Sequence, residues 1–541
     1  MYTVYYLHHR SKTIIDYSPQ PGLDFQRRSG EGLCLSPPLP AYLAEELAES
    51  LKKYKGKERI IGGARRWLRA RDLPLVVSQG VDLTPPPLVR EIPQLQGRLL
   101  LPEETGRPEE ELHWLYLQGK LQRQPAVQVD CWGEGTCRRC GTVDLPRSFC
   151  PHCGRTDCYY CGECATMGTI RSCTLLYYAP PPAMASFQVK PHLEFALTEP
   201  QIQASRQLAD FVARDSRREC LLWAVCGAGK TEASFAAAAE ALAQGGRVLY
   251  AIPRREIVRE LIPRFRKAFP GLDIAAYYGG APKPPGLAPL VIATTHQTLR
   301  FYQTFDLVIL DEADAYPYRG SRMLAYALHR AAKPGGKIIS MTATPDPGSL
   351  RRARWGLGKL VTIPARHHGY PLPEPQLKKL PLSLQPLKIP PSLAQQVAGY
   401  LAAAHPLLIF VPTIAAAEGL CSLLPRGKVG YTHSQDPEKD RKRRLVEEGG
   451  VLVSTSLLER GITIPRVDVM VLFADHPLFD VGTLIQMAGR SGRSSEAPRG
   501  RVWFYGRRIT APMRQARAMI RELNRRARRG GFLIEDQKNS R

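Results

Sequence analysis

No run of apolar residues approaches the ~18 needed to cross a bilayer. The first ten residues, Met1 to Arg10, mix polar and basic groups without the apolar core of a secretion signal. Together these absences argue against an integral membrane protein and predict an intracellular one. Acidic residues are scarce too: 50 Asp+Glu stand against 75 Lys+Arg, a net charge of +25. Such an excess either solvates a surface or meets a polyanion, and nucleic acid is the leading partner. Cysteine is missing from most of the chain, since nine of the thirteen, Cys131 to Cys173, crowd into 43 residues. Without an export signal, that crowding argues for metal binding rather than disulfides. At 541 residues the chain has room for three or four domains, each with its own core.

What is present includes a phosphate-binding pattern. Leu221 to Val225 reads as a buried strand, Cys226-Gly227-Ala228-Gly229 as a turn, and Lys230-Thr231 as the start of an Ala-rich helix stopped by Gly245-Gly246. Glycines in that turn let backbone N–H groups wrap a phosphate at a helix N-terminus. Lys230 is placed to reach the β- and γ-phosphates of ATP and Thr231 to ligate Mg²⁺. Gly227, Ala228 and Gly229 line the cradle, and Ala224 stands where the usual pattern has its first glycine. A second buried strand, Leu307 to Leu310, delivers Asp311 to the metal and Glu312 to an attacking water within Asp311-Glu312-Ala313-Asp314. The pairing predicts ATP hydrolysis.

Strand-like runs near 221, 248, 290, 307 and 337 form one α/β block, and Leu407–Val411, Val451–Val453 and Val469–Phe473 a second. Alternating strands and helices imply parallel sheets covered on both faces. The domains expected are an N-terminal one over 1–130 with no motif, a cysteine-rich module over 131–178, and α/β lobes over 195–363 and 385–541. The proline-rich stretch Pro364 to Pro391 reads as a linker. The last lobe ends in a helix-like run carrying Arg514, Arg517, Arg521, Arg525, Arg526, Arg528 and Arg529, either a solvated face or a contact for DNA or an acidic partner.

Cys137-x₂-Cys140, Cys150-x₂-Cys153 and Cys158-x₂-Cys161-x₂-Cys164, then Cys173, have the spacing of zinc ligands. Eight thiolates fit two four-cysteine zinc sites, with Cys131 spare. Consecutive pairing groups 137/140/150/153 and 158/161/164/173; a cross-braced pairing is open, and an iron–sulfur cluster is the alternative metal. Gly141, Gly154 and Gly162 suit tight knuckle turns after their cysteines. Cys34, Cys220, Cys226 and Cys421 read as ordinary core thiols.

Further segments fall in a known order: Leu197 to Gln201, Pro253-Arg254-Arg255, Thr294 to Gln297, Thr342-Ala343-Thr344, Ser454 to Gly461, and Gln486-Met487-Ala488-Gly489-Arg490-Ser491-Gly492-Arg493. Residues 195 to 510 thereby resemble superfamily 2 helicases, with two RecA-like lobes. That resemblance implies ATP between the lobes, Gln201 at the adenine edge, Gly461 at the nucleotide, and Gln486, Arg490 and Arg493 acting from the second lobe. Thr294, Thr295, Thr413, Ser454 and Thr455 would donate to a strand's phosphates, with a helix cap or strand-end turn as the competing role. DEAD-box RNA helicases carry different detail around these motifs, and the chain looks like a DNA translocase instead. With the cysteines ahead of the motor and Met167-Gly168 after them, it resembles the ComFA competence ATPases. That implies a single-stranded-DNA-stimulated ATPase using ATP, Mg²⁺ and one or two Zn²⁺. It would be cytoplasmic, peripheral to the inner face of the membrane, with ComFC, DprA and the ComEC channel as partners. PriA-like replication-restart helicases are the alternative, although there the cysteines interrupt the second lobe. A non-catalytic, ATP-gated adaptor is a second alternative, opposed by intact Lys230, Glu312, Arg490 and Arg493.

Overall fold

The computed structural model describes residues 2–9, 12–18, 31–36, 39–71, 73, 78–79, 92–282, 284, 286–425, 427–433, 436, 444–455 and 464–534. The chain forms two compact units. One comprises Met1–Gln188, Ala241–Val308 and Pro317–Ile338; the other comprises Val189–Glu240, Ile309–Tyr316 and Ile339–Arg541.

The first unit opens with a four-stranded antiparallel sheet in the order Lys12–Ser18, Thr3–His9, Glu31–Cys34, Ser78–Gln79. Helix Ala41–Leu51 buries Leu43, Ala44, Leu47, Ala48 and Leu51, the i, i+3/i+4 stripe of a helix with one apolar face. That stripe shares a core with Val4 of the sheet and with Ile60 and Leu68 of helix Lys57–Arg69. Two strands then form a neck. Gln122–Pro125 leads into the cysteine region and Leu175–Tyr178 leads out, and they pair antiparallel with Leu175 opposite Pro125 and Tyr178 opposite Gln122. Leu99–Leu100 pairs with the far side of the outgoing strand. Tyr177 from this neck lies in the same core as the N-terminal helices. Residues on both sides of the expected 130/131 boundary are therefore held together by sheet pairing.

The same unit contributes Val248–Ile252, Ile274–Tyr277 and Leu290–Thr294, all parallel. In the second unit Glu219–Ala224 pairs in parallel with Lys359–Ile363. Strands Phe305–Leu310 and Ala332–Thr342 have residues in both units and complete a seven-stranded sheet. Its order is Ile274–Tyr277, Leu290–Thr294, Val248–Ile252, Phe305–Leu310, Ala332–Thr342, Glu219–Ala224, Lys359–Ile363. The second unit also holds a six-stranded, wholly parallel sheet ordered Gln376–Lys379, Val502–Gly506, Asp468–Val471, Leu407–Val411, Val451–Thr455, Val429–Thr432. These are the two RecA-like lobes. In the second lobe the inner strands Leu407–Val411, Val451–Thr455 and Val502–Gly506 are buried along their whole length, as sheets covered on both faces require.

One expectation needs correcting. The stretch 364–391 is no simple linker, because Gln376–Lys379 inside it forms the edge strand of the second lobe's sheet. An edge tolerates flanking prolines and welcomes lysines, since one side makes no ladder bonds. Proline content alone hid it. The C-terminal helix, Ala511–Arg529, buries Met513, Ala516, Ile520, Leu523 and Ala527 and leaves Arg514, Arg521, Arg525, Arg528 and Arg529 exposed. Its Asn524 amide brackets the backbone of Leu372 with bonds of 2.8 and 3.0 Å.

Candidate nucleotide site and cysteine clusters

The phosphate loop follows the buried strand Glu219–Ala224 and runs into helix Lys230–Ala243. Gly227 and Gly229 take φ of 77° and 69°, a region that disfavours a side chain. Ala224 needs no such freedom, because it is still in the strand and pairs with Ile363. The backbone at this position therefore does not call for a glycine. Gln201, 3% exposed, donates to the carbonyl of Ala228 at 2.9 Å and accepts from the N–H of Thr198 at 2.7 Å. The structure places this amide as a brace beneath the loop.

Lys230 Nζ lies 3.7 Å from Asp311 Oδ1. Burial lowers the lysine pKa, but Asp311 and Asp314 more than offset this, so the ammonium is held charged. Asp311 directly follows the buried strand Phe305–Leu310 and accepts the N–H of Glu312 at 2.8 Å, while Glu312 sits at a φ of 53°. Local backbone strain of that kind gathers at functional sites. Asp314 Oδ2 receives two bonds of 2.8 Å, one from Thr344 Oγ1 and one from Gln486 Nε2. The acidic motif, the Thr342–Thr344 turn and the Gln486 helix therefore converge on one carboxylate. Helix Val481–Ala488, capped by Asp480, delivers Gln486. In the turn after it, Arg493 Nε donates to the Gly489 carbonyl at 2.9 Å, and a side chain on Gly227 would come within 3.9 Å of Arg493 Nε. Arg490 lies in the same turn, its N–H bonded to the Met487 carbonyl. Thr231 is the second residue of the loop helix. Gly461 lies outside the described residues.

The cysteines assemble into two four-thiol groups, 137/140/161/164 and 150/153/158/173, the donor atoms of each within 4.8 Å of one another. Sulfurs stand 3.4 Å apart at Cys140–Cys161 and 3.8 Å apart at Cys137–Cys164 and Cys150–Cys173. A zinc tetrahedron with Zn–S of ~2.3 Å has edges of about 3.8 Å, so the donor sets fit that ion. Of the two pairings that the spacing leaves open, the thiols take the interleaved, cross-braced one rather than the consecutive one. The reason is local: Cys158–Cys161 is a β-strand, and an x₂ spacing along a strand turns the two thiols to opposite faces. Where the x₂ spacing falls on a knuckle, both thiols serve one group. Cys137–Gly141 and Cys150–Gly154 repeat one pattern, with the glycine N–H returning 2.8 Å to the first cysteine's carbonyl at φ of 74° and 71°. Gly162 is no such knuckle and follows the strand. Cys131 is exposed and joins neither group.

The first group is wholly buried and packs with Leu299, Leu324 and Ala327 in one core. Tyr326 lies against the Gly141 knuckle, where any side chain would meet its ring. Half-buried Glu104 takes 2.7 Å bonds from Arg139 and from Arg300. Arg330, pulled by burial down to about 10, donates to the Arg138 carbonyl at 2.7 Å. The second group forms a small core of its own, in which Cys153 is half-buried.

Residues 89–178 match the competence protein ComFA N-terminal domain, 198–353 the DEAD/DEAH box helicase domain and 393–495 the helicase conserved C-terminal domain. Competence protein ComFA of Bacillus subtilis is 34% identical over 442 residues, covering 80% of this chain and 94% of the relative. ComFA of Streptococcus pneumoniae is also 34% identical, covering 80% and 98%. The chain belongs to the ComFA family.

Among solved structures, Saccharomyces cerevisiae Dbp5 bound to RNA and ADP BeF3 is similar at a TM-score of 0.42 and 19% identity, covering 61% of this chain and 92% of that one. The helicase domains make this ComFA chain an ATP-hydrolysing, helicase-like enzyme associated with competence. No helix among the described residues is long and apolar enough to cross a membrane.

Two groups at the ComFA cleft escaped the sequence reading. Asp314 carried a signal, as the last letter of its motif. Arg366 carried none, because it sits between the lobes in a stretch that reads as linker. The proposed strand-binding hydroxyls divide. Thr413 Oγ1 caps helix Ile414–Leu423 by accepting the Ala416 N–H, keeping its own proton to donate. Ser454 donates to the Thr455 carbonyl, and Thr294, Thr295 and Thr455 are buried.

Proposed function

We propose that this chain is a single-stranded-DNA-stimulated ATPase and translocase that helps drive transforming DNA across the cytoplasmic membrane. The observation that carries the reading is the meeting of three motifs in one unit. Lys230 stands beside Asp311, and Gln486 reaches from the second lobe to Asp314. A cleft so wired can report the state of its nucleotide from one lobe to the other.

In this reading Lys230 holds the β- and γ-phosphates over the backbone of Gly227, Ala228 and Gly229, with Gln201 keeping the loop in shape. Thr231 and Asp311 would hold Mg²⁺, which supplies charge neutralisation on the phosphates. Glu312 orients the attacking water, and Arg490 and Arg493 face the charge that develops on the transferred group. An arginine in that role is worth ~10³- to 10⁵-fold in rate. Each four-cysteine group would hold one structural Zn²⁺, stapling together segments well separated in the chain. The net charge of +25 supports a polyanionic track. ComFC, DprA and the ComEC channel are the proposed partners, at the cytoplasmic face of the membrane.

The test is ATP hydrolysis by the full chain alone and with single-stranded DNA, duplex DNA or RNA, with bound zinc assayed on the same sample. Stimulation by single-stranded DNA above the other three supports the proposal. Preference for duplex DNA points to replication restart, and preference for RNA overturns the substrate class.

A further inference from the structure

Arg366 follows the last strand of the first lobe, Lys359–Ile363, and is 2% exposed. Its guanidinium spans two motifs. Nε donates to the carbonyl of Cys226 in the phosphate loop at 3.0 Å. Nη2 donates to the Gly489 carbonyl at 2.9 Å, and Nη1 to those of Ser491 at 2.7 Å and Gly492. The Gly489 carbonyl also receives Arg493 Nε at 2.9 Å, so one oxygen links the two arginines. Packing repeats the link, since a side chain on Gly489 would run into Cys226. His368, two residues on, adds a second donor: Nε2 reaches the Gly492 carbonyl at 3.0 Å while Nδ1 accepts the Tyr370 N–H at 3.1 Å. Burial above all drives its pKa down to about 4, leaving the neutral ring with one proton, on Nε2.

A buried cation satisfied by backbone carbonyls is an expensive way to fill a core. Burial, and then the neighbouring Arg493, lower its pKa to about 10, so it stays charged at neutral pH. What the guanidinium offers, and an ammonium does not, is a planar fork that holds several acceptors in one geometry. We propose that Arg366 is the positioning residue that couples the phosphate loop to the Gly489–Arg493 turn, so that a filled loop sets Arg490 and Arg493 for hydrolysis. The residue touches backbone alone in these bonds, and its effect on the reaction is transmitted through the turn. This inference rests on the ATPase reading of the cleft.

Arg366→Lys keeps the charge and loses the fork. The expected result is a fall in kcat of at least ~10-fold with affinity for a fluorescent ATP analogue (mant-ATP) within ~3-fold of the parent, because small misplacements of a catalytic group are costly while loop contacts to phosphate survive. A folded Arg366→Lys protein with kcat within ~2-fold of the parent overturns the proposal, as does a loss confined to KM. Thermal unfolding of each variant separates these outcomes from misfolding. If Arg366→Lys does not fold, His368→Phe removes the second linker donor to the same turn. A fall in kcat at unchanged KM then supports the coupling, and unchanged kcat overturns it. Parent and Lys230→Ala proteins run alongside: absence of Lys230-dependent hydrolysis defeats the ATPase reading itself, whereas a hydrolysing parent matched by Arg366→Lys defeats the coupling alone.

Discussion

The nucleotide cleft and the cysteine module are both built from short, glycine-bearing motifs, yet they collect their side chains differently. In the cleft the phosphate loop and the acidic motif each follow a buried strand, parallel sheets bring such strand ends to one side, and a single helix adds Gln486. The phosphate loop is also continuous in the chain, so its backbone N–H groups need no long-range partner. In the module the thiols come from four separate turns and a strand, and each group interleaves distant segments: Cys137 and Cys140 join Cys161 and Cys164, and Cys150 and Cys153 join Cys158 and Cys173. A site made of contiguous backbone declares its geometry in the sequence. A site made of crossed segments does not, because one strand between two cysteines reverses the assignment.

The module's two groups also differ from each other, and that difference yields the largest expected effect. Cys137→Ser removes a fully buried ligand from a group that packs with Leu299 and Leu324. It should release one zinc equivalent and lower the unfolding temperature sharply, on the scale of the roughly 10–16 kcal/mol that zinc contributes to small zinc-folded peptides. Cys153→Ser should cost less, since water can reach the half-buried position as the fourth ligand. Metal analysis and calorimetry on both proteins check this; equal losses would erase the distinction between the groups. Lys230→Ala tests the other region. Hydrolysis should fall beyond ~10³-fold, while bound zinc and strand binding persist. Loss of zinc in that variant would contradict the local nature of the loop.

Glu104 gives the smallest expected effect and a pH signature. Burial raises its pKa, but Arg139 and Arg300 outweigh this and hold it below the usual carboxylate value. A depressed pKa contributes stability above the unfolded value, and that stability is lost as pH falls through the folded one. Glu104→Gln should therefore cost about 3 kcal/mol at neutral pH by leaving two arginines without their carboxylate. The gap to the parent should narrow as pH drops below about 4.3. A pH-independent gap measured by chemical unfolding would show that shape, not charge, holds this junction.

Much of the architecture was legible in the residues. The buried runs at 221, 248, 290, 307, 407, 451 and 469 all became parallel strands, because strands covered on both faces are apolar throughout and stand out from their surroundings. Edge strands were harder. Gln376–Lys379 is polar, flanked by prolines and defined by its partner Val502–Gly506. The neck strands Gln122–Pro125 and Leu175–Tyr178 are each only four residues long and have meaning only as a pair.

The sequence by itself determined the chemistry on offer: a phosphate cradle, an acidic motif, a glutamine and two arginines in order, and eight thiolates at zinc spacing. Each depends on residue type and local turn geometry, which neighbouring residues specify. Tertiary structure alone decided which thiols share a group, that Asp314 is where Thr344 and Gln486 meet, and that Arg366 ties the loop to the Gly489–Gly492 carbonyls. Those are relations between segments far apart in the chain, set by strand faces, sheet order and the burial of one arginine, and no local pattern encodes them.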